Sequence, residues 1–339
     1  MAMTTPLDNA WAERLALWLT DRCGMAEPVV EHLRRPTSGY SSETVFFDAT
    51  WLDGDGGHSW YGVIRMAPPE QGTFPVFDLA AQWQAQTAAT SAGIPTADPV
   101  LETDPSWLGA PFVAMRRVDG HVVGALVHHD RWLAGLESEA QAQVFRNFMV
   151  ALAGIHGSAT TGATGVPRRD NGAELAFWEE YLDWSSGGHP VATLTRAITW
   201  CRRNQPATEP RPALLWGDAR FENVVFGDDL TLRAVLDWDM TTIGAPEHDL
   251  AWFTSLDLTM SRLFGRRLPG APDRAAMVGL FEAASGRAVR DLEWYETLAM
   301  VRSSAVMTRI GYLRRDAGQP PMLPIDDNPV LDLLAERLN

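Results

Sequence analysis

The chain has 339 residues, 46% hydrophobic and 21% charged, long enough for two lobes with separate cores. A formal net charge of −15 disfavours nucleic acid as a partner, because phosphates would be repelled. No apolar stretch is long enough for a membrane span, MAMTTPLDNAWAERL shows no basic-then-apolar leader, and Cys23 and Cys201 are too few for a disulfide scaffold or thiolate metal site. The expectation is a cytoplasmic protein with no membrane partner. Apolar residues recur at helical spacing in LDNAWAERLALWLTDRCG (7–24), which stops at Gly24. PTSGYSSETVFFDATWL (36–52) reads as a glycine-bearing turn entering a strand, GDGG (54–57) as a hairpin turn, and SWYGVIRMA (59–67) as the return strand. Alternation places Tyr61, Val63 and Arg65 on one face and Gly62, Ile64 and Met66 on the other. VFDLAAQWQAQTAATSAGI (76–94) predicts a helix ending at Gly93, and APFVAMRRVDG (110–120) a strand. From about residue 121 the pattern turns helical, over 137–156, 173–185, 191–203, 249–264, 273–286 and 292–314, with one hairpin at 223–238. A Pro/Gly-rich connection at 318–329 precedes a last helix, PVLDLLAERL.

The chemistry concentrates in LLWGDARFENVVFGDDLTLRAVLDWDMTTIGAPEHDLAWF (214–253). Asp218 and Asn223 sit five apart in a polar loop after an apolar run. The hairpin that follows folds back, so Asp237 returns near that loop. A carboxylate, an amide oxygen and a second carboxylate around one point are hard oxygen ligands, suited to Mg²⁺ on phosphates. A carboxylate off the metal can orient an attacking hydroxyl and accept its proton.

This segment resembles the catalytic region of the aminoglycoside phosphotransferase and choline kinase superfamily, with its H-G-D-x-x-x-x-N and [IL]-D-[FW] pattern. The chain reads W-G-D-A-R-F-E-N and L-D-W-D, followed by G-A-P-E-H-D-L-A. The resemblance implies an α+β, bilobal protein-kinase-like fold, with a β-rich nucleotide-binding lobe at 1–118 and a helical lobe at 119–339. It implies that Asp218 is the catalytic aspartate, that Asn223 and Asp237 hold Mg²⁺, and that Asp249 braces the catalytic loop. Asp239 shares a strand face with Asp237, as a metal support or a solvated residue.

In the first lobe, Ser38, Gly39, Tyr40 and Ser41 fall where the family covers the nucleotide, or else form an ordinary strand-entry turn. Arg65 occupies the place of the phosphate-anchoring Lys. All 28 basic residues are Arg and none is Lys, so Arg there is this chain's ordinary cation; a strand-edge surface role is the alternative. Where the family has a Glu partner, this chain has Gln82, with Gln84 as an alternative. Base contacts are expected on the backbone at Ala114, Met115 and Arg116. Trp216 replaces the loop histidine; an indole can replace its packing but not its ring hydrogen bonds. His156 is expected to pack a helix end.

PSWLGAPFVAMRRVDG and LDWDMTTIGAPEHDLAW are similar to the bacterial branch related to the kinase-like domain of some acyl-CoA dehydrogenases. The implied activity is an ATP- or GTP-dependent kinase acting on a small hydroxylated substrate, either an aminoglycoside or a hydroxylated metabolite such as a hydroxyacyl thioester. A catalytically impaired nucleotide-binding or scaffolding protein of the same fold is the competing expectation.

Overall fold

A computed structural model describes residues 7–36, 42–68 and 72–338. The chain divides into two compact units, one formed by Met1–Trp83 with Ala97–Val118, the other by Gln84–Thr96 with Asp119–Asn339.

In the first unit, helix α1 (Asn9–Cys23) begins where the Asp8 side chain accepts from the Trp11 amide. It ends at Gly24, whose φ of 69° is the left-handed stop that glycine adopts without a Cβ penalty. A five-stranded antiparallel sheet follows, from β1 (Val29–Arg34), β2 (Glu43–Asp53), β3 (Gly56–Met66), then, past helix α2 (Leu79–Ser91), β4 (Val100–Glu102) and β5 (Phe112–Arg116). Its order is β1-β2-β3-β5-β4. The α1 face carrying Trp11, Leu15, Trp18 and Leu19 packs in one cluster with Val45, Phe47, Ile64 and Phe112 of the sheet. Trp60, Gly62, Ile64 and Met66 are buried while Tyr61 is exposed, the period of two that the sequence shows. Gly62 is required sterically: a Cβ there would overlap the Phe47 ring. The edge strands β1 and β4 escape sequence reading, one because Glu31, His32 and Arg34 break its alternation, the other because it is three residues long.

The second unit is mostly helical. It contains α3 (Arg131–Gly135), α4 (Ser138–His156), α5 (Asn171–Ser185), α6 (Ala192–Arg203), then β6 (Ala213–Leu215), β7 (Val224–Phe226), β8 (Leu232–Val235) and β9 (Thr242–Gly244). Helices α7 (Glu247–Phe264), α8 (Arg274–Ser285), α9 (Leu292–Asp316) and α10 (Pro329–Arg337) complete it. The hairpin β7–β8 pairs Val224 with Val235, and a second ladder pairs β6 with β9, Ala213 opposite Gly244. That second ladder clamps the two ends of the segment that carries the polar loop and hairpin. Beneath it Phe145, Phe148, Phe221 and Phe253 form an aromatic core, with Phe148 and Phe253 stacked at 4.4 Å between centroids. The fold is α+β: a small antiparallel-sheet unit and a larger helical unit. No described helix is long and apolar enough to cross a membrane.

Candidate active site

The loop between β6 and β7 is held from below by one buried carboxylate. Asp249, third residue of α7, lies where unpaired helix amides and the helix dipole favour an anion. Its Oδ2 accepts from the Trp216 amide at 2.8 Å and from His156 Nε2 at 2.9 Å, and its Oδ1 from the Gly217 amide at 2.8 Å. His156 therefore does more than pack a helix end. Gly217 has φ 89°, and a Cβ on it would strike the Met240 carbonyl, so only glycine fits this turn. Arg302 Nη2 donates to the Gly217 carbonyl at 3.2 Å, with its guanidinium over the rings of Trp178 and Trp252.

Asp218 emerges next. Its Oδ1 accepts from Trp252 Nε1 at 2.9 Å and its Oδ2 from Asn223 Nδ2 at 2.8 Å. Arg220 Nε lies 3.0 Å from that same Oδ2 but off the hydrogen-bond direction, an ion pair without an aligned bond. Arg220 Nη1 reaches Glu222 at 3.2 Å. Burial pushes the Asp218 carboxyl above the usual carboxylate range; Arg220 pulls it back, and the negative charge of Asp237 pushes it up again.

Asp237 stands just past the end of β8, at a left-handed φ of 56°. An aspartate tolerates that region at a cost that functional sites commonly carry. It is not on a strand, so the strand face expected for Asp237 and Asp239 does not exist; the chain turns there. The Leu236 amide donates to the Asn223 carbonyl at 2.8 Å, tying this turn to the loop. Trp216 Nε1 donates to the carbonyls of both Leu236 and Asp237 at 2.9 Å. Beyond its packing, the indole thus supplies a ring N–H of its own, which ties this loop to the backbone of Asp237.

These groups suit a hard cation chemically. The Asn223 amide nitrogen is spent on the Asp218 side chain and its carbonyl oxygen, which leaves the Asn223 amide oxygen as the donor atom for a cation. Asp237 offers carboxylate oxygens, and oxygen-only ligands are what Mg²⁺ takes.

In the first unit, Arg65 donates from Nε and Nη2 to Ser42 Oγ at 3.3 and 3.2 Å. Ser38, Gly39, Tyr40 and Ser41 lie outside the described residues. Gln82 is buried in the first turn of α2, its backbone N–H donating to the Asp78 carbonyl. Gln84 is engaged elsewhere, its Oε1 accepting from the Gly165 amide at 2.7 Å. Ala114, Met115 and Arg116 belong to β5, in register with Ile64, Val63 and Gly62. The Arg116 N–H goes to the Ala97 carbonyl, ahead of β4, and that of Arg117 to the Tyr61 carbonyl of β3, so both donors are already used within the first unit.

Sequence reading missed Trp252, Arg302 and Arg220. Trp252 follows Asp249 by one helical turn, a spacing that puts both on the face of α7 beneath the loop. Arg220 was visible inside the motif without an assigned role. Arg302 had no local signal, since only the packing of α9 brings it to Gly217.

The loop and hairpin thus gather the Asp218 carboxylate, the Asn223 amide and the Asp237 carboxylate in the helical unit of this α+β fold. The chain belongs to the phosphotransferase enzyme family, whose family model matches residues 32–292. It is similar to acyl-CoA dehydrogenase family member 11 of Rattus norvegicus, at 26% identity over 196 residues, covering 56% of this chain and 24% of that protein. The chain thus spans about a quarter of the length of that relative. A solved structure from Ralstonia eutropha, described as a candidate aminoglycoside phosphotransferase, superposes with TM-score 0.72 at 18% identity, covering 96% and 97% of the two chains. The aminoglycoside phosphotransferase APH(4)-Ia, in a ternary complex with AMP-PNP and hygromycin B, gives 0.57 at 15% identity over 96% and 98%. At those identities the two structures establish the fold alone.

Proposed function

We propose that this phosphotransferase is a Mg²⁺-dependent small-molecule kinase that moves the γ-phosphoryl group of ATP or GTP to a hydroxyl. The observation that carries the reading is the Asp218 carboxylate, fixed by Trp252 and Asn223 beside Asp237. Asp218 orients the acceptor hydroxyl and takes its proton as the new oxygen–phosphorus bond forms. The bond from the γ-phosphorus to the bridging oxygen breaks, and its electron pair leaves with the nucleoside diphosphate. Asn223 and Asp237 would hold Mg²⁺, which supplies positive charge to the phosphates when bound. Ser38, Gly39, Tyr40, Ser41, Arg65 and Gln82 are the proposed phosphate-side contacts of the first unit. Ala114, Met115 and Arg116 are the proposed base contacts, and the use of the Arg116 N–H on the Ala97 carbonyl favours carbonyl oxygens there.

The similarity to an acyl-CoA dehydrogenase family member favours a hydroxylated metabolite, such as a hydroxyacyl thioester, as acceptor. The neighbour bound to hygromycin B keeps an aminoglycoside in view. The scaffolding alternative loses part of its motive, because Trp216 is a working hydrogen-bond donor at this site. The test is nucleotide consumption by purified protein across aminoglycosides, hydroxy acids and hydroxyacyl thioesters, with Asp218→Asn as control. Turnover that persists unchanged in Asp218→Asn would sink the assignment.

A further inference from the structure

The loop holds one cation that the reading above leaves without a task. We propose that Arg220 is a phosphate-contacting residue: its guanidinium, between Asp218 and Glu222, is the cation that meets the terminal phosphoryl group of the bound nucleotide. The proposal rests on the kinase reading and adds a residue to it.

Three observations point this way. The first is position. Arg220 follows the proposed proton acceptor by two residues, and its side chain is 40% exposed while the Asp218 side chain beside it is 10% exposed. The guanidinium therefore faces outward from the carboxylate where an acceptor hydroxyl and a phosphoryl group must meet. The second is geometry. An Arg that serves only to anchor a carboxylate commonly forks two aligned N–H bonds onto it. Here Nε is 3.0 Å from Oδ2 but misaligned, and the aligned bonds on the Asp218 carboxylate come from Trp252 and Asn223 instead. Asp218 is fixed without Arg220, so the cation can turn to another anion while the carboxylate keeps its orientation.

The third is charge. Asp218 and Asp237 already place two like charges close enough to interact. A triphosphate adds more negative charge at this point, and in transfer that charge spreads over the three equatorial oxygens of the moving group. Arg302, the other arginine at the loop, is 2% exposed and committed to the Gly217 carbonyl between two indoles. Arg220 is the loop cation placed to neutralise the incoming group, with Glu222 holding its far side.

The test is calorimetry with Mg²⁺ and either ADP or a non-hydrolysable ATP analogue, on wild type, Arg220→Gln and Arg220→Lys, each checked by thermal melting. The expected result for Arg220→Gln is at least a ~10-fold loss of affinity for the triphosphate analogue, the scale of one charge-assisted hydrogen bond. Its ADP affinity should change less than about threefold, and Arg220→Lys, a point charge that also binds phosphate, should recover most of the lost discrimination. If both nucleotides weaken equally, or neither weakens, Arg220 is only a partner of Asp218 and the proposal falls. Should Arg220→Gln fail to melt cooperatively, Arg220→Lys decides: full wild-type discrimination supports a cation at this position, and its absence with an intact fold overturns it. A wild-type protein that binds neither nucleotide overturns the kinase reading itself, an outcome distinct from both.

Discussion

At Asp218 two aligned donors fix the carboxylate while burial and Asp237 raise its affinity for a proton. Replacement by Asn is nearly isosteric, so nucleotide affinity should stay within about threefold, whereas general-base contributions of roughly 10²–10⁴-fold set the expected fall in turnover. Steady-state rates on an identified acceptor, set beside calorimetry, check this; equal losses in both would make Asp218 a binding residue. Trp216→Phe keeps most of the packing but removes the N–H shared by the Leu236 and Asp237 carbonyls. Two part-buried carbonyls lose a donor, which should cost about 1 kcal/mol of stability and weaken Mg²⁺-dependent nucleotide binding more than metal-free binding. Urea midpoints and paired titrations measure the two effects. Asp218, Asn223 and Asp237 were legible because the residues between them form one loop and one hairpin, so spacing alone brings them together. The indole's second role was not legible, since it depends on how the chain turns after β8.

Among the elements, α7 carries the most: Asp249 and Trp252 serve the loop from one face, while His248 turns toward α9. His248 is buried against the rings of Tyr295 and Trp294, and neither ring nitrogen has a hydrogen-bond partner. Burial lowers its pKa from 6.5 to about 4, against the pull of Glu174 and Asp249 and with the help of Arg302. A histidine with a depressed folded pKa binds its proton more readily when unfolded. Stability present above about pH 6.5 is therefore lost as the pH falls toward about 4, by at most ~1.4 kcal/mol per unit from this group. His248→Gln should flatten that acid limb between about pH 6.5 and 5, read as urea midpoints against wild type. Parallel curves for the two proteins would show that His248 does not drive the loss. Helix α7 was legible from its periodicity, but its partner Arg302 was not: helix packing alone joins residues 85 positions apart. The ladder of β6 with β9 was equally hidden, because two fully buried three-residue strands carry no alternation to read.

Over the whole molecule, the absence of Lys is a chemical property of the surface as much as of the site. Acyl-phosphate nucleotide probes mark kinases by acylating a lysine amine near the phosphates. In this chain the residue proposed for that place is Arg65, and guanidinium, protonated throughout the working pH range, does not acylate under those conditions. The expected outcome is protection of triphosphate binding sites from labelling even at saturating probe, with mass spectrometry finding modification at the amino terminus alone. Internal acylation that ATP suppresses would contradict this. The change from a strand-rich to a mostly helical pattern near residue 121 was legible, whereas the grouping of Gln84–Thr96 with the helical unit had no signal in the sequence. The edges of the sheet were not legible either, since β1 and β4 contribute little buried surface of their own.

Trp252 gives its N–H to the Asp218 carboxylate, and Trp216 gives its own to the backbone that presents Asp237. Indole emission responds to a charge or hydrogen bond at that nitrogen, so the two groups that chemistry would disturb are each wired to a fluorophore. Occupancy of this centre should therefore be visible in the protein's own ultraviolet emission, with no label attached. Subtracting the spectrum of Trp252→Phe from that of wild type separates the contribution of the carboxylate from the 14 indoles in the chain.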